Sequence, residues 1–295
     1  MEVRINKFLS EAGVCSRREA DRQIEAGNVT IGGKTARMGD QVSDGQEVCF
    51  CGRPVQKEKE MILIALNKPA GIVCTAEKRE KNNVIDFLHY PKRIYPVGRL
   101  DKESEGLLLL TNNGEIVNKI MRSGNMHEKE YLVTVNRPVT DAFLHGMANG
   151  VPLVELGTTT RKCRVERTGK KQFRIILTQG LNRQIRRMCR ALDYHVMNLK
   201  RVRIMNLQLG TLKRGEYREL TEKELGDLMR MVEGSTNLPA REAAKAGKLT
   251  DPARRERKPA NSGYQGKKND RKPFEKGNDR KPFEKKNGTG KVWKN

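Results

Sequence analysis

The stretch Arg99-Leu100-Asp101-Lys102-Glu103-Ser104-Glu105-Gly106-Leu107-Leu108-Leu109-Leu110-Thr111 decides how this chain is read. Its second half is a continuous apolar run of the kind that forms a buried strand. Its first half sets a carboxylate, Asp101, at the mouth of that strand, with Arg99 and Lys102 as cations on either side. A strand end is a rigid platform, so a residue there reaches a ligand without a floppy support. Flanking cations favour the ionised carboxylate. An Asp in front of a strand is also an ordinary turn residue that satisfies a nearby backbone N–H. The rest of the chain must decide between the two.

The bulk numbers narrow the field. A chain of 295 residues predicts about two domains plus extensions. The formal charge of +23 and a pI of about 9.9 imply a polyanionic partner: nucleic acid, a membrane surface or an acidic protein. No apolar run reaches the ~18 residues of a membrane-spanning helix. Met1 to Lys7 lacks the apolar core of a signal peptide, which predicts a cytoplasmic protein. Cys15, Cys49, Cys51, Cys74, Cys163 and Cys189 are scattered without a C-x-x-C pair, and read as reduced, structural thiols. His89, His127, His145 and His195 show no metal spacing, and neither a Walker loop nor G-x-G-x-x-G occurs. No metal and no cofactor is expected. One fixed carboxylate in so basic a chain suits an enzyme working on a nucleic acid base.

Working outward, the first 50 residues read as a small helical module followed by strands. Ile5 to Gly13 is a short helix, and Ser16-Arg17-Arg18-Glu19 is a capping box opening a second that ends near Gly27. Val29 to Lys34 is a strand entering a Gly-Gly hairpin turn. Arg18 and Arg22 share one face of the second helix, with Arg17 beside them. That face is either solvated or in contact with phosphates. Residues 51 to 60 are polar and punctuated, a linker.

Residues 61 to 232 hold most of the core-forming sequence. Strands are predicted at Met61–Leu66, Tyr131–Val135, Cys163–Glu166, Phe173–Leu177 and within Val196–Leu209. Helices are predicted near Glu115–Met121, Asp141–Ala148 and Arg183–Leu192, with a last one opening at the capping box Thr221-Glu222-Lys223-Glu224. The alternation predicts an α+β domain on a mixed, mostly antiparallel sheet. From about 235 onward the composition changes. Residues 235–295 carry 18 Lys/Arg against 7 Asp/Glu, and the unit Asn269-Asp270-Arg271-Lys272-Pro273-Phe274-Glu275-Lys276-Gly277 repeats in tandem from Asn278. Such a segment buries too little apolar surface to offset its ordering entropy and is expected to be a disordered basic tail. It reads as an electrostatic RNA tether, with a merely solubilising extension as the alternative.

Three further segments join Asp101. In Asn182-Arg183-Gln184-Ile185-Arg186-Arg187-Met188-Cys189-Arg190, a helix capped by Asn182 places Ile185, Met188 and Cys189 on one face. Arg183, Arg186, Arg187 and Arg190 fall on the other. Four arginines with no acid among them favour phosphate binding or pairing with a buried carboxylate. Tyr131 is either a strand aromatic or a stacking platform for an extruded base. Asn67-Lys68-Pro69-Ala70-Gly71 reads by itself as a turn after a strand.

The first 50 residues resemble the S4 RNA-binding module. The four segments, in their order along the chain, resemble the pseudouridine synthases, specifically the S4-bearing branch that modifies ribosomal RNA, and within it the large-subunit type. The resemblance spans residues 1–232 and divides the chain into an S4 module with linker (1–60), a catalytic domain (61–232) and the tail (233–295). It implies that Asp101 is the nucleophile at C1′ of a flipped-out uridine, that Tyr131 stacks on the base, and that Arg186, or else Arg183, pairs with Asp101. It further implies that Ile185 packs beneath the tyrosine and that Lys68 supports the nucleophile's loop. Arg17, Arg18, Arg22, Lys68, Arg99, Lys129, Arg183, Ile185, Arg187 and Arg190 form the expected substrate and RNA contacts. Isomerising uridine needs neither redox nor energy input, in keeping with the missing cofactor motifs. The expected partner is a large-subunit rRNA stem-loop, with a tRNA anticodon as a further target, bound by a monomer and without a membrane. A non-catalytic S4 RNA-binding protein and a polyanion-binding structural protein are the competing readings.

Overall fold

A computed structural model of the chain describes residues 2–56, 60–77 and 79–236. The N-terminal module carries helices α1 (Ile5–Glu11) and α2 (Arg17–Glu25), packed over a four-stranded antiparallel sheet. Ile5, Leu9, Ala20, Ile24, Val29 and Val48 form its core. Ser16 caps α2 by accepting the Glu19 N–H at 3.2 Å. The reciprocal half of the predicted capping box is replaced, because the Glu19 carboxylate turns to Gln23 and Arg22. Gly32 and Gly33 make the predicted hairpin turn, both with positive φ, between Val29–Ile31 and Lys34–Thr35. The expected linker starts later than predicted. Cys51 and Gly52 form a second tight turn, and Arg53–Pro54 pairs back onto Val48–Phe50.

The second part is built on a nine-stranded sheet. Its strands, numbered in chain order, are β1 (Leu63–Lys68), β2 (Tyr95–Val97), β3 (Glu105–Thr111), β4 (Lys129–Val135), β5 (Arg164–Gly169), β6 (Gln172–Leu177), β7 (Val196–Ile204), β8 (Leu207–Gln208) and β9 (Tyr217–Glu219). The order is β5-β6-β4-β7-β3-β1-β9, with β8 on β7 and β2 on β3. Every pairing is antiparallel except β7 with β3. The single helical turn α3 (Val84–Leu88), capped by Asn83, and the three-residue strands β2 and β9 are too short to show a periodicity in the sequence.

The sheet falls into two halves that meet at the parallel seam. On the β3 side, Leu63, Ala65, Leu107 and Leu109 point to one face, beneath α4 (Gly114–Met121) and α7 (Glu222–Glu233). Ile64, Leu66, Leu108 and Leu110 point to the other, beneath α3. Both faces are covered, which is why the run Leu107–Leu110 does not alternate. On the β4 side, Val133, Phe173 and Ile175 pack against α5 (Asp141–Asn149) and α6 (Gln184–Ala191). Thr221 and Glu224 make the complete capping box of α7. The described residues run three past the predicted boundary at 233. Thr236 exchanges two hydrogen bonds with the Asn125 side chain, and Ser235 meets His127 Nε2 at 2.8 Å. The rest of the predicted tail, residues 237–295, lies outside the described residues, as do Met1, 57–59 and Lys78.

Candidate active site

The backbone between Pro96 and β3 turns sharply, and Asp101 sits in the turn. The Ser104 N–H closes it on the Asp101 carbonyl at 3.0 Å, and the Gly71 N–H ties it to the preceding loop through the Lys102 carbonyl at 2.7 Å. The Asp101 carboxylate is 29% exposed. Its cationic partners are not Arg99 and Lys102, which point to solvent, but two residues some 80 positions away. Arg183 Nη1 lies 3.5 Å and Arg186 Nε 3.6 Å from the same carboxylate oxygen.

The two arginines are held differently. Arg186 is mostly buried; its Nη1 donates to the Val196 carbonyl and its Nη2 to Ser104 Oγ, both at 3.3 Å. These bonds fix the guanidinium plane and leave Nε, which has no other partner, facing Asp101. Arg183 is 40% exposed and shares itself between Asp101 and Glu103, the latter at 3.1 Å. That hydrogen bond holds the Glu103 carboxyl below its ordinary range. Arg183 also occupies the left-handed region (φ 49°) as the residue that caps α6, so the helix starts at Gln184. The predicted Asn182 cap is not formed; Asn182 accepts from Arg187 instead.

Asp101, Lys129, Tyr131, Arg183, Ile185 and Arg186 line one open cavity of about 550 Å³, with Arg99 on its rim. Tyr131 is half-buried and packs against the cores on both sides of the seam, one of which contains Ile185. The strand register sets Lys68, Gly106, Arg201 and Tyr131 in one row across β1, β3, β7 and β4. Gly106 is required there. Its φ is +101°, and a Cβ would stand 2.2 Å from the Arg201 carbonyl oxygen. The close crossing at Gly106 therefore sets the spacing between the half carrying Asp101 and the half carrying the arginines and Tyr131. Among the described residues no cluster of three His, Cys, Asp or Glu could hold a metal ion.

The site's sequence matches the same picture. The profile of the RNA pseudouridylate synthase family matches residues 62–191 and that of the S4 domain residues 3–48. The dual-specificity RNA pseudouridine synthase RluF of Salmonella typhi is 55% identical over 246 residues, covering 83% of this chain and 84% of that protein. The chain belongs to the RNA pseudouridine synthases. The ribosomal large subunit pseudouridine synthase B of Bacillus subtilis is 34% identical over 79% of this chain and 98% of its own length. A crystal structure of a pseudouridylate synthase, 31% identical, superposes with a TM-score of 0.57 over 77% of this chain and 99% of that one.

The structure places the expected substrate contacts of this pseudouridine synthase in different settings. Lys68 is fully enclosed, its ammonium donating to the Pro69 and Ile72 carbonyls at 2.8 Å each, so it braces the loop and offers nothing to RNA. Burial pushes its pKa down. Arg187 pairs with Glu155, and Arg190 is 3.9 Å from the same carboxylate. Neither lines the cavity. The acid that partners them comes from the 3₁₀ turn Val154–Leu156, too far along the chain for helix periodicity to reveal. Arg17, Arg18 and Arg22 are exposed on α2, with Arg22 paired to Glu19 at 3.1 Å. Sequence reasoning missed Ser104, Val196 and Arg201. Ser104 had one signal in the sequence, its place three residues past the carboxylate and just ahead of the apolar run; its burial shows only in the fold.

Proposed function

We propose that this pseudouridine synthase isomerises a specific uridine in large-subunit rRNA, and a second one in a tRNA anticodon arm, with Asp101 as nucleophile. The dual specificity of its Salmonella typhi relative and the large-subunit substrate of its Bacillus subtilis relative, both given in those enzymes' names, support the choice of RNAs. The observation that carries the catalytic reading is the Asp101 carboxylate facing two arginines across a cavity that also holds Tyr131.

The geometry supports a division of labour. Arg186, locked by Val196 and Ser104, orients the carboxylate. Arg183 and Arg99, exposed at the rim, meet the RNA backbone together with Arg17, Arg18 and Arg22. The flipped uracil stacks on Tyr131, with Ile185 behind it, at an unstacking cost of a few kcal/mol that phosphate contacts offset. Attack at C1′ forms a carboxylate–C1′ bond as the C1′–N1 bond breaks. The base turns, C5 bonds to C1′ as the carboxylate leaves, and C5 then loses its proton while N1 gains one, with the Tyr131 hydroxyl beside the base to relay it. Residues 237–295 are read as an RNA tether on their composition alone. We take the enzyme to work as a monomer in the cytoplasm, where rRNA and tRNA are found.

The test is tritium release from uridine C5 in rRNA taken from cells lacking the protein, comparing wild type with Asp101→Asn. Release by wild type alone is expected. Release by both removes Asp101 as nucleophile, and release by neither, on naked RNA and on ribosomal particles, turns the reading toward an S4 binding protein.

A further inference from the structure

We propose that Lys129 is a catalytic residue whose ammonium stabilises the negative charge on the departing uracil. The proposal rests on the reading of the cavity given above and adds the group that receives the charge.

Three buried cations lie near the row under the cavity, and they differ in what satisfies them. The Lys68 ammonium has two carbonyl acceptors and does not line the cavity. Arg201 Nε donates to the Leu107 carbonyl at 2.7 Å and also stays off the cavity wall. Lys129 lines the cavity and is 4% exposed. Its Nζ gives one hydrogen bond, to the His127 carbonyl at 3.2 Å. An ammonium has three donors. No carboxylate among the described residues pairs with Lys129; the charge nearest it in effect is Arg201 on β7, which repels it, and His127 precedes it on the same strand entry. An unpaired cation at such depth costs stability, and such groups concentrate at functional sites. Burial first and Arg201 second bring its pKa down to about 8, so it stays largely charged at neutral pH.

Position supplies the rest. Lys129 and Tyr131 are two apart on β4, so their side chains share a face. A uracil lying on the Tyr131 ring is then next to the Lys129 ammonium. Whether the carboxylate adds to C1′ or removes a C2′ proton, the C1′–N1 electron pair leaves with the base. The resulting anion spreads its charge over N1, O2 and O4. A preorganised donor in a water-poor cavity is worth most where charge develops, at one of those carbonyl oxygens.

The discriminating experiment varies the leaving group. Once the uridine converted by wild type in that rRNA is mapped, two synthetic RNA stem-loops carry uridine or 5-fluorouridine at that position, and single-turnover loss of that nucleoside is read after nuclease digestion. Fluorine lowers the basicity of the departing base and so its need for a cation. Lys129→Met should slow the uridine substrate about 10²–10³-fold, and the 5-fluorouridine substrate by roughly tenfold or less. Lys129→Gln, a neutral donor, should fall between and carries the same comparison if the Met variant does not fold. RNA affinity by filter binding should stay close to wild type in both. An equal loss on the two substrates, or no loss, overturns the role of Lys129 while wild-type turnover leaves the Asp101 reading standing. Failure of wild type on both substrates overturns both.

Discussion

Gly106→Ala tests whether the crossing of β3 and β7 sets the active-site spacing. Two costs follow from the structure. The φ of +101° lies where an L-residue is strained, by about 1–3 kcal/mol. The new methyl would stand 2.2 Å from the Arg201 carbonyl oxygen, an ångström or so inside contact, and overpacking of this kind costs about 1–3 kcal/mol. The sum is roughly 2–6 kcal/mol of stability, less where the strands part. Parting is the informative response. The seam is held in register by only two pairs, Lys200↔Glu105 and Arg201↔Gly106, the fewest of any junction along the main strand order from β5 to β9. An opening of ~1 Å moves Asp101 away from Arg186 and Tyr131, and a misplacement of that size costs on the order of 10²-fold in kcat. The assay is thermal unfolding by far-UV circular dichroism, with tritium release at saturating RNA. Gly226→Ala is the control. That glycine lies in α7 with nothing within 4 Å of a built Cβ, and should gain about 1 kcal/mol. A Gly106→Ala protein as stable as the control and with full kcat would refute the role given to the seam.

Other outcomes are as specific. Ser104→Ala removes an acceptor from the Arg186 guanidinium and should lower kcat about tenfold with RNA affinity unchanged, since a bond to a charged group is worth about 1.5–3 kcal/mol; an effect confined to KM contradicts it. Glu155→Gln frees Arg187 and Arg190 on the far side of α6 and should leave single-turnover kcat within about twofold, because exposed ion pairs contribute little. Lys129→Met should raise the melting temperature at pH 7 even as it lowers turnover. The lysine's pKa falls from 10.5 unfolded to about 8 folded, so the unfolded chain holds the extra proton between those values. Wild-type stability relative to the variant therefore rises with pH across that window, and the deficit, about 3 kcal/mol below pH 8, is gone above 10.5; a flat difference from pH 7 to 11 is the contrary result. Deleting residues 237–295 should weaken RNA binding and flatten its dependence on salt while saturated turnover persists; a collapse of turnover would end the tether reading.

What the sequence made legible follows from the range of each physical signal. The run Leu107–Leu110 was readable because burial on two faces leaves no polar residue in it, and α2 and α7 because a cap is a local event within three residues. The α6 arginines were correctly split from its apolar face, yet that split could not say which of them turned inward. That depended on the entry angle of the helix, and the left-handed Arg183 shifts the start one residue past the Asn182 cap that composition favours. Glu155 and Arg201 were beyond reach, since their roles exist only through partners tens of residues away.

The same limit bears on the chemistry. Asp101, Arg99 and Lys102 are neighbours in sequence, and adjacency suggested that the flanking cations tune the carboxylate. In the fold those two face water, where a charge 4 Å away is worth only ~1 kcal/mol. The cations that face Asp101 come from across the seam, one of them nearly buried and held by two acceptors. A carboxylate on one half of the sheet and its guanidinium and aromatic on the other form a site only when the halves are docked at the right distance. Gly106 permits that approach through the side chain it lacks. The residue that best reports the integrity of this active site is therefore one that carries no chemistry.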